Sequence, residues 1–532
     1  NPRQENHPEG PARHGRVVLA TVVEGEVPAN APIRYSYRNT YAPYVAGTEE
    51  VWVRVKGEAP ALPPRLTVLP GPGETLRVLA PSGAEPGATI AVLVVSLDRF
   101  ENASATQFEG EVLYFADGTV AAALPAFVGR VRVPVKLRGE GVFRFRFRDV
   151  LSNAVRVAPG CHGPFWGDIH IHTRLSHDGQ GSDPYAYARD VSGLDFAGTA
   201  DHCQSMGPRG YAQTLAWAEA ANAPGRFVTM LGDERDPRHF NGQGHYNVCF
   251  RDAEAFRAHL GKTAAGSTVD LTDPAHQPPL DPKEVMLVPH HTGIQFGPLP
   301  RRGTGAAVVW DAWDDRALRP VMEIYSHHGQ SELYAPQHVL AYEFNRMRNP
   351  ERRANTSVPG PFYAQDHWMA GRRLGVIASS DDHSGQGGRR HGGLAAVWAD
   401  VLTREAIFDA IRQRRCYATT GERILLSFTV EETPMGQCVR AVPGQKLRIR
   451  FQVWATDLLV RVEILRHRFG VDRGFIPILA DAPRPETLDA AYEVEEEFVG
   501  PCVYYGRVTQ QPLEWPGMAW TSPVWVDTSE PE

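Results

Sequence analysis

Through the middle third of this 532-residue chain, short apolar runs keep meeting histidines and carboxylates at their ends. Gly167-Asp168-Ile169-His170-Ile171-His172-Thr173 opens the series, and residues two apart on an extended strand project from the same face. Asp178 comes next, then Asp201-His202 after the run 194–199, Glu234 after 227–231, and His245. His290-His291 after 285–288 and Asp381-Asp382-His383 after 374–378 complete it. Seventeen of the twenty histidines lie between His162 and His391, whereas solvent-facing histidines would be spread more evenly. A lone HxH pair carries little, but many ligand-type residues at strand ends converge on one rim of a sheet or barrel. The pattern predicts a metal cluster serving a metal-dependent hydrolase.

Bulk properties narrow the classes. The length predicts two to four domains, with room for a large buried site. A net charge of −7 argues against a nucleic-acid surface built on bulk charge, so no specific nucleic-acid partner is indicated. No apolar run reaches the roughly 18 to 20 residues that cross a bilayer, so no membrane span is expected. The chain begins at Asn1 with a polar, Pro-rich stretch to Arg16, which suggests a trimmed N-terminus and leaves export to the periplasm or beyond open. The six cysteines form no CxxC pair, so a structural thiolate zinc site is not expected, and Cys203 and Cys249 read as small buried residues.

Three regions follow from the pattern. Residues 1–160 read as a β-sandwich-like domain, with apolar alternating runs between Pro and Gly clusters and a hairpin signal at 116–119. Within it, Val142 to Arg148 alternates strictly, placing aromatics in the core and arginines in solvent. Residues 161–421 read as an α/β layer with a largely parallel sheet, and helices are predicted from Asp183-Pro184, over 211–221 and over 403–414. The stretches 261–282 and 293–315 read as loops over the site. Residues 422–532 return to β character as a C-terminal β-rich domain, and neither end supplies an expected ligand.

His170-Ile171-His172-Thr173, Thr199-Ala200-Asp201-His202, Gly232-Asp233-Glu234, Gly244-His245, Val288-Pro289-His290 and Ser380-Asp381-Asp382-His383 resemble the motifs of the PHP (polymerase and histidinol phosphatase) superfamily. The resemblance spans about 165–421 and is nearest to a branch of larger PHP-like proteins of unassigned function. It implies a distorted seven-stranded β/α barrel, flanked here by the two β-rich regions, with two or three divalent or trivalent ions. Carried over by position, His170, His172, Glu234 and Asp381 would hold the first ion. Glu234 would bridge to a second held by His245 and His290, and Asp178, His202 and His383 would hold a third. Imidazole with carboxylate suits zinc, manganese or iron. His177 intervenes between Ser176 and Asp178, unlike the smaller family members, and stands as an alternative to Asp178. Alternation should let one member of each doublet face the ions, with His290 preferred over His291 and Asp381 over Asp382.

Glu323, in Glu323-Ile324-Tyr325-Ser326-His327-His328, reads as a partner for a ligand imidazole, and His327 and His328 as substrate-binding candidates. Among Arg209, Arg235, Arg301, Arg302, Arg389 and Arg390, Arg235 and Arg389 are the first choices for an anion clamp. The leading expectation is a phosphoesterase in which ions about 3.5 to 4 Å apart activate a bridging water, with Asp178, His202 or His383 assisting the leaving group. The substrate would be a small-molecule or polymer-borne ester, with diesters favoured over monoesters. Two alternatives stay open: the same centre acting on carboxylic ester, lactone, amide or sulfate ester bonds, and a non-catalytic binding protein with a structural metal site.

Overall fold

The computed structural model describes residues 3–5, 17–19, 44–50, 65–235, 244–263, 280–296, 317–345 and 355–529. The fold is mostly β, with large sheets and few helices.

The N-terminal region packs antiparallel sheets around its own core. One contains Thr75–Leu79, Thr89–Leu97 and Arg130–Lys136; another contains Val120–Ala123, Val112–Phe115, Phe145–Phe147 and Val150–Leu151. Val92, Val94, Leu113, Phe145 and Phe147 fill the space between, as alternation demands. Gly118, at φ 87°, closes the hairpin at 116–119, with Phe115 N–H donating 2.8 Å to Thr119 O. The expected row of solvated arginines is broken at Arg144, which is buried and reaches the Asp489 carboxylate and the Ala455 carbonyl of the C-terminal region.

The central strands belong to a 13-stranded sheet that runs Val285–His290, His245–Phe250, Val228–Arg235, Phe196–Thr199, Phe165–Ile171, Leu394–Val397, Cys416–Thr419 and on into Gly517–Thr521, Cys502–Gln510, Leu459–Arg468 and Ile476–Asp481. The β/α barrel implied by the family resemblance is therefore not what forms. Three strands, Phe165–Ile171, Phe196–Thr199 and Val228–Arg235, are parallel neighbours, but His245–Phe250 and Leu394–Val397 run antiparallel to both of their partners. Val321–Ser326 and Gly375–Ala378 pair in a separate three-stranded sheet. The cause lies partly in connection length: residues 236–244 are too few for a helical crossover, which takes a dozen or more, so the chain must turn back antiparallel.

Helices form at the three expected places, the second starting three residues earlier than expected. Asp183 Oδ1 accepts from Tyr185 N–H ahead of Tyr185–Asp190, the second spans Pro208–Ala221, and Thr403 Oγ1 caps Arg404–Arg412. The central strands are buried on both faces, so their sequences read as continuous apolar runs broken only at their ends. No helix among the described residues is long and apolar enough to cross a membrane.

Candidate metal centre

His170, near the end of the strand Phe165–Ile171, and His172, just past it, bring their Nε2 atoms within 3.3 Å of each other. Glu234, near the end of Val228–Arg235, reaches both: its Oε2 lies 3.3 Å from His170 Nε2 and 3.0 Å from His172 Nε2. Its other oxygen lies 3.0 Å from His245 Nδ1 and 3.1 Å from His290 Nε2. Asp381 Oδ1 closes the first group at 3.3 Å from His172 and 3.5 Å from His170. On the outer side Asp178 Oδ2 meets His383 Nε2 at 3.0 Å and His202 Nε2 at 3.3 Å. The nine ligand candidates thus come together in overlapping groups, each with its donor atoms within 4.8 Å of one another.

Hydrogen bonds behind the imidazoles test whether this set fits a cation. His170 Nδ1 faces Glu323 Oε2 at 3.1 Å, and His383 Nδ1 faces the Asp381 carbonyl at 2.7 Å. His172 Nδ1 faces Ser176 Oγ at 3.2 Å; that hydroxyl donates to Asp178 Oδ1, so it accepts from the imidazole. Each Nδ1 carries the hydrogen and each Nε2 turns its lone pair inward, the arrangement metal ligands need. Burial opposes charge on Glu234, but His202 and His290 outweigh it and hold the carboxyl well below its ordinary value. Asp381 is likewise held low against burial, by His170, His328 and His327. Burial and the neighbouring His170 push His290 down to about 3, whereas Asp381 and Glu234 outweigh the burial of His172 and raise it to about 10, so that a proton competes with a cation for its Nε2 lone pair. The donor set fits a cation.

The doublets divide differently from each other. Asp381 faces the cluster at φ 54°, while Asp382 turns away to accept from Ser384 N–H and Gln386 N–H at 2.8 and 2.7 Å. At the other doublet both members face inward, against the expectation from alternation. The strand ends at His290, and His291 at φ 33° is no longer extended, so its ring packs 4.9 Å from His245 and 5.1 Å from His328. His177 stacks 4.5 Å from His202 and bonds Ser205, so it flanks Asp178 and reaches the same outer group.

The expected substrate-binding residues are placed unevenly. His327 bonds the Ser380 carbonyl at 2.9 Å and stacks 4.2 Å from His328, at the edge of the cluster. Arg235 projects from the opposite face to Glu234, fully buried, and donates to Asp233 Oδ1 at 3.0 Å. Arg389 lies 3.7 Å from Asp382 and 3.9 Å from Glu101, joining the Asp382 loop to the N-terminal region. Neither arginine is brought to the ligand cluster. Arg209 and Arg390 are exposed on a helix and a turn, and Arg301, Arg302 and most of the loops at 261–282 and 293–315 lie outside the described residues.

Sequence reasoning passed over two carboxylates that hold the ligand loops. Asp168 accepts from Ser380 N–H at 3.0 Å and Gly388 N–H at 2.9 Å, and Asp201 accepts from Thr173 N–H at 2.6 Å. Gly387 lies so close beneath the first strand that a Cβ there would sit 2.2 Å from Ile171 Cδ1. The signal available was an aspartate beside each ligand motif, too common a feature to single out.

A family described as a protein of unknown function, DUF3604, matches residues 371–432, the segment that carries Asp381, Asp382, His383 and Arg389. Uncharacterized proteins of Chlamydia pneumoniae and Chlamydia muridarum are 38% and 34% identical over 145 and 144 residues. These alignments take in 25% of this chain and 23% and 22% of the relatives, so less than a quarter of their length is matched. Among solved structures, Escherichia coli alpha-2-macroglobulin activated by porcine elastase aligns over 86% of this chain and 31% of its own, at 10% identity and a TM-score of 0.13, which carries no likeness of fold.

Proposed function

We propose that the chain is a metal-dependent hydrolase acting on esters, with phosphoesters, and diesters before monoesters, as the first substrate class. The observation that carries the reading is the tied Nδ1 atoms of His170, His172 and His383, which leave three inward lone pairs beside Glu234 and Asp381. Glu234 bridges the groups, and Glu323 and Ser176 orient their imidazoles. Bound transition-metal ions would supply Lewis acidity, making water nucleophilic near neutral pH and neutralising charge on the ester oxygens.

The side chains of Asp178, His245 and His383 are 27%, 22% and 13% exposed, against 3% for Glu234, so the cluster is open at its Asp178 and His245 ends and closed in the middle. Burial of Asp178 is outweighed by His383 and His202, which keep it ionised, while Glu234 and Asp178 raise His202 against its burial. In this reading His202 stands outside the ion set and holds a proton for a leaving oxygen. The choice of phosphorus rests on the motif resemblance, and the absence of Arg235 and Arg389 from the cluster favours a singly charged diester over a dianionic monoester.

Elemental analysis of protein purified without chelator should find at least two transition-metal ions per chain; fewer than one, with no gain on reconstitution, rejects the proposal. A panel of chromogenic phosphomono-, phosphodi- and phosphotriesters beside carboxyl and sulfate esters then identifies the bond. Turnover should vanish in His170→Ala, and cleavage of carboxyl or sulfate esters alone would move the assignment to that class.

A further inference from the structure

Asp381 has two sides. Its Oδ1 faces His170 and His172, and its Oδ2 lies 3.0 Å from His328 Nε2. Behind His328, the Nδ2 amides of Asn345 and Asn355 approach Nδ1 at 2.9 and 3.4 Å. These amides come from separate segments, one following the short turn Tyr342–Phe344 and one opening the strand Asn355–Ser357. All four side chains are buried. An amide nitrogen only donates, so with both amides turned this way Nδ1 of His328 accepts and the hydrogen of the neutral imidazole sits on Nε2. This tautomer is the reverse of that imposed on His170, His172 and His383, whose Nδ1 atoms face oxygen acceptors.

We infer that His328 is a positioning residue: it donates Nε2–H to the outer oxygen of Asp381 and so presents the inner oxygen alone to the ion. The inference rests on the metal centre proposed above. His328 also lies within ligand distance of Asp381 and His291, but a ligating imidazole needs a lone pair where the two amides place a hydrogen. Aligning Asp381 this way lets one carboxylate oxygen hold its place between His170 and His172 without rotating into a two-oxygen mode.

The test is Zn²⁺ titration of chelator-stripped protein against a chromophoric competitor, reading stoichiometry and affinity, with melting curves for each variant. His328→Gln keeps an N–H at the Nε2 position; it should bind as many ions as the parent, with affinity within about threefold. His328→Leu should bind the same number with one ion weakened about 10- to 100-fold. His328→Phe, which keeps a flat ring and removes the donor, should weaken the same ion, and it carries the comparison if His328→Leu does not fold. Loss of a whole ion in every His328 variant would make His328 a ligand and overturn the inference, as would parental affinity in His328→Leu or His328→Phe. A parent chain that binds no ion rejects the metal centre itself.

Discussion

The two β-rich ends of the chain attach to the ligand-bearing strands in different ways. The N-terminal region keeps most of its hydrophobic core to itself, within residues 78–157, and meets the middle through a small apolar patch, Val95 and Leu97 against Val191, and through polar side chains. Trp166 Nε1 donates to Ser82, Arg423 to the Ala80 carbonyl, Gln386 to Asn102, and Arg389 lies beside Glu101. The C-terminal region instead continues the backbone ladder, as Gly517–Thr521 pairs with Cys416–Thr419. Its apolar residues are mixed with those of the middle: Tyr505, Trp520 and Trp525 pack with Tyr325, Trp368 and Ala418. A region that shares sheet and core stands or falls with its neighbour, whereas one joined by side chains braces it.

The largest expected effect is on deletion. Removing residues 422–532 should leave an insoluble chain, because it strips a ladder partner and exposes the shared core. Removing residues 1–160 should leave a folded remainder by circular dichroism, with one cooperative melt and weaker metal retention. Equal collapse in both would erase the contrast.

Glu332→Ala comes next. This buried carboxylate accepts from Tyr505, from Arg507 Nη1 at 2.7 Å and from Trp520 Nε1 at 2.7 Å, so its loss should cost about 3 to 5 kcal/mol in denaturant unfolding.

The same junction should be acid-sensitive. His367, on the helix Ala364–Met369 beside Trp368 and Tyr505, is pushed from 6.5 down to about 3 by burial, with Arg372 adding to it. The unfolded chain takes up that proton more readily, so the stabilisation is complete above about pH 6.5 and falls by about 1.4 kcal/mol per unit as pH drops towards 3. Between pH 7 and pH 5 the parent should lose about 2 kcal/mol more than His367→Gln.

The smallest effect belongs to the N-terminal brace. Arg389→Ala should cost about 1 kcal/mol of stability, since its carboxylate partners are 3.7 and 3.9 Å away and its side chain is partly exposed. A raised KM at unchanged stability would instead return Arg389 to substrate binding.

The clustering of the candidate ligands was legible because strand periodicity is local. His170 and His172, two apart at a strand end, come together wherever that strand goes, and a carboxylate that ends an apolar run marks a rim. Strand direction is not local. The run 245–250 carries its histidine at its beginning, not its end, and that inversion was the available sign that the strand runs backwards. Together with the short step from Arg235, it argued against a parallel barrel strand. The second doublet misled for a related reason: alternation holds only while the chain is extended, and His291 lies past the end of its strand. Arg144 reads as solvated from its alternation, yet its partner Asp489 lies 345 residues further along, a pairing no local pattern encodes.

Asp381 would answer two demands at once, since its left-handed backbone excludes most side chains and the proposed metal centre calls for a carboxylate there. Aspartate and asparagine are the residues with side chains that tolerate that conformation best. Few side chains therefore suit this position, and a replacement by alanine would confound a bent chain with the loss of a candidate ligand. Asparagine separates the two: it preserves the turn while withdrawing the charge, so it is the informative substitution for anyone dissecting this centre.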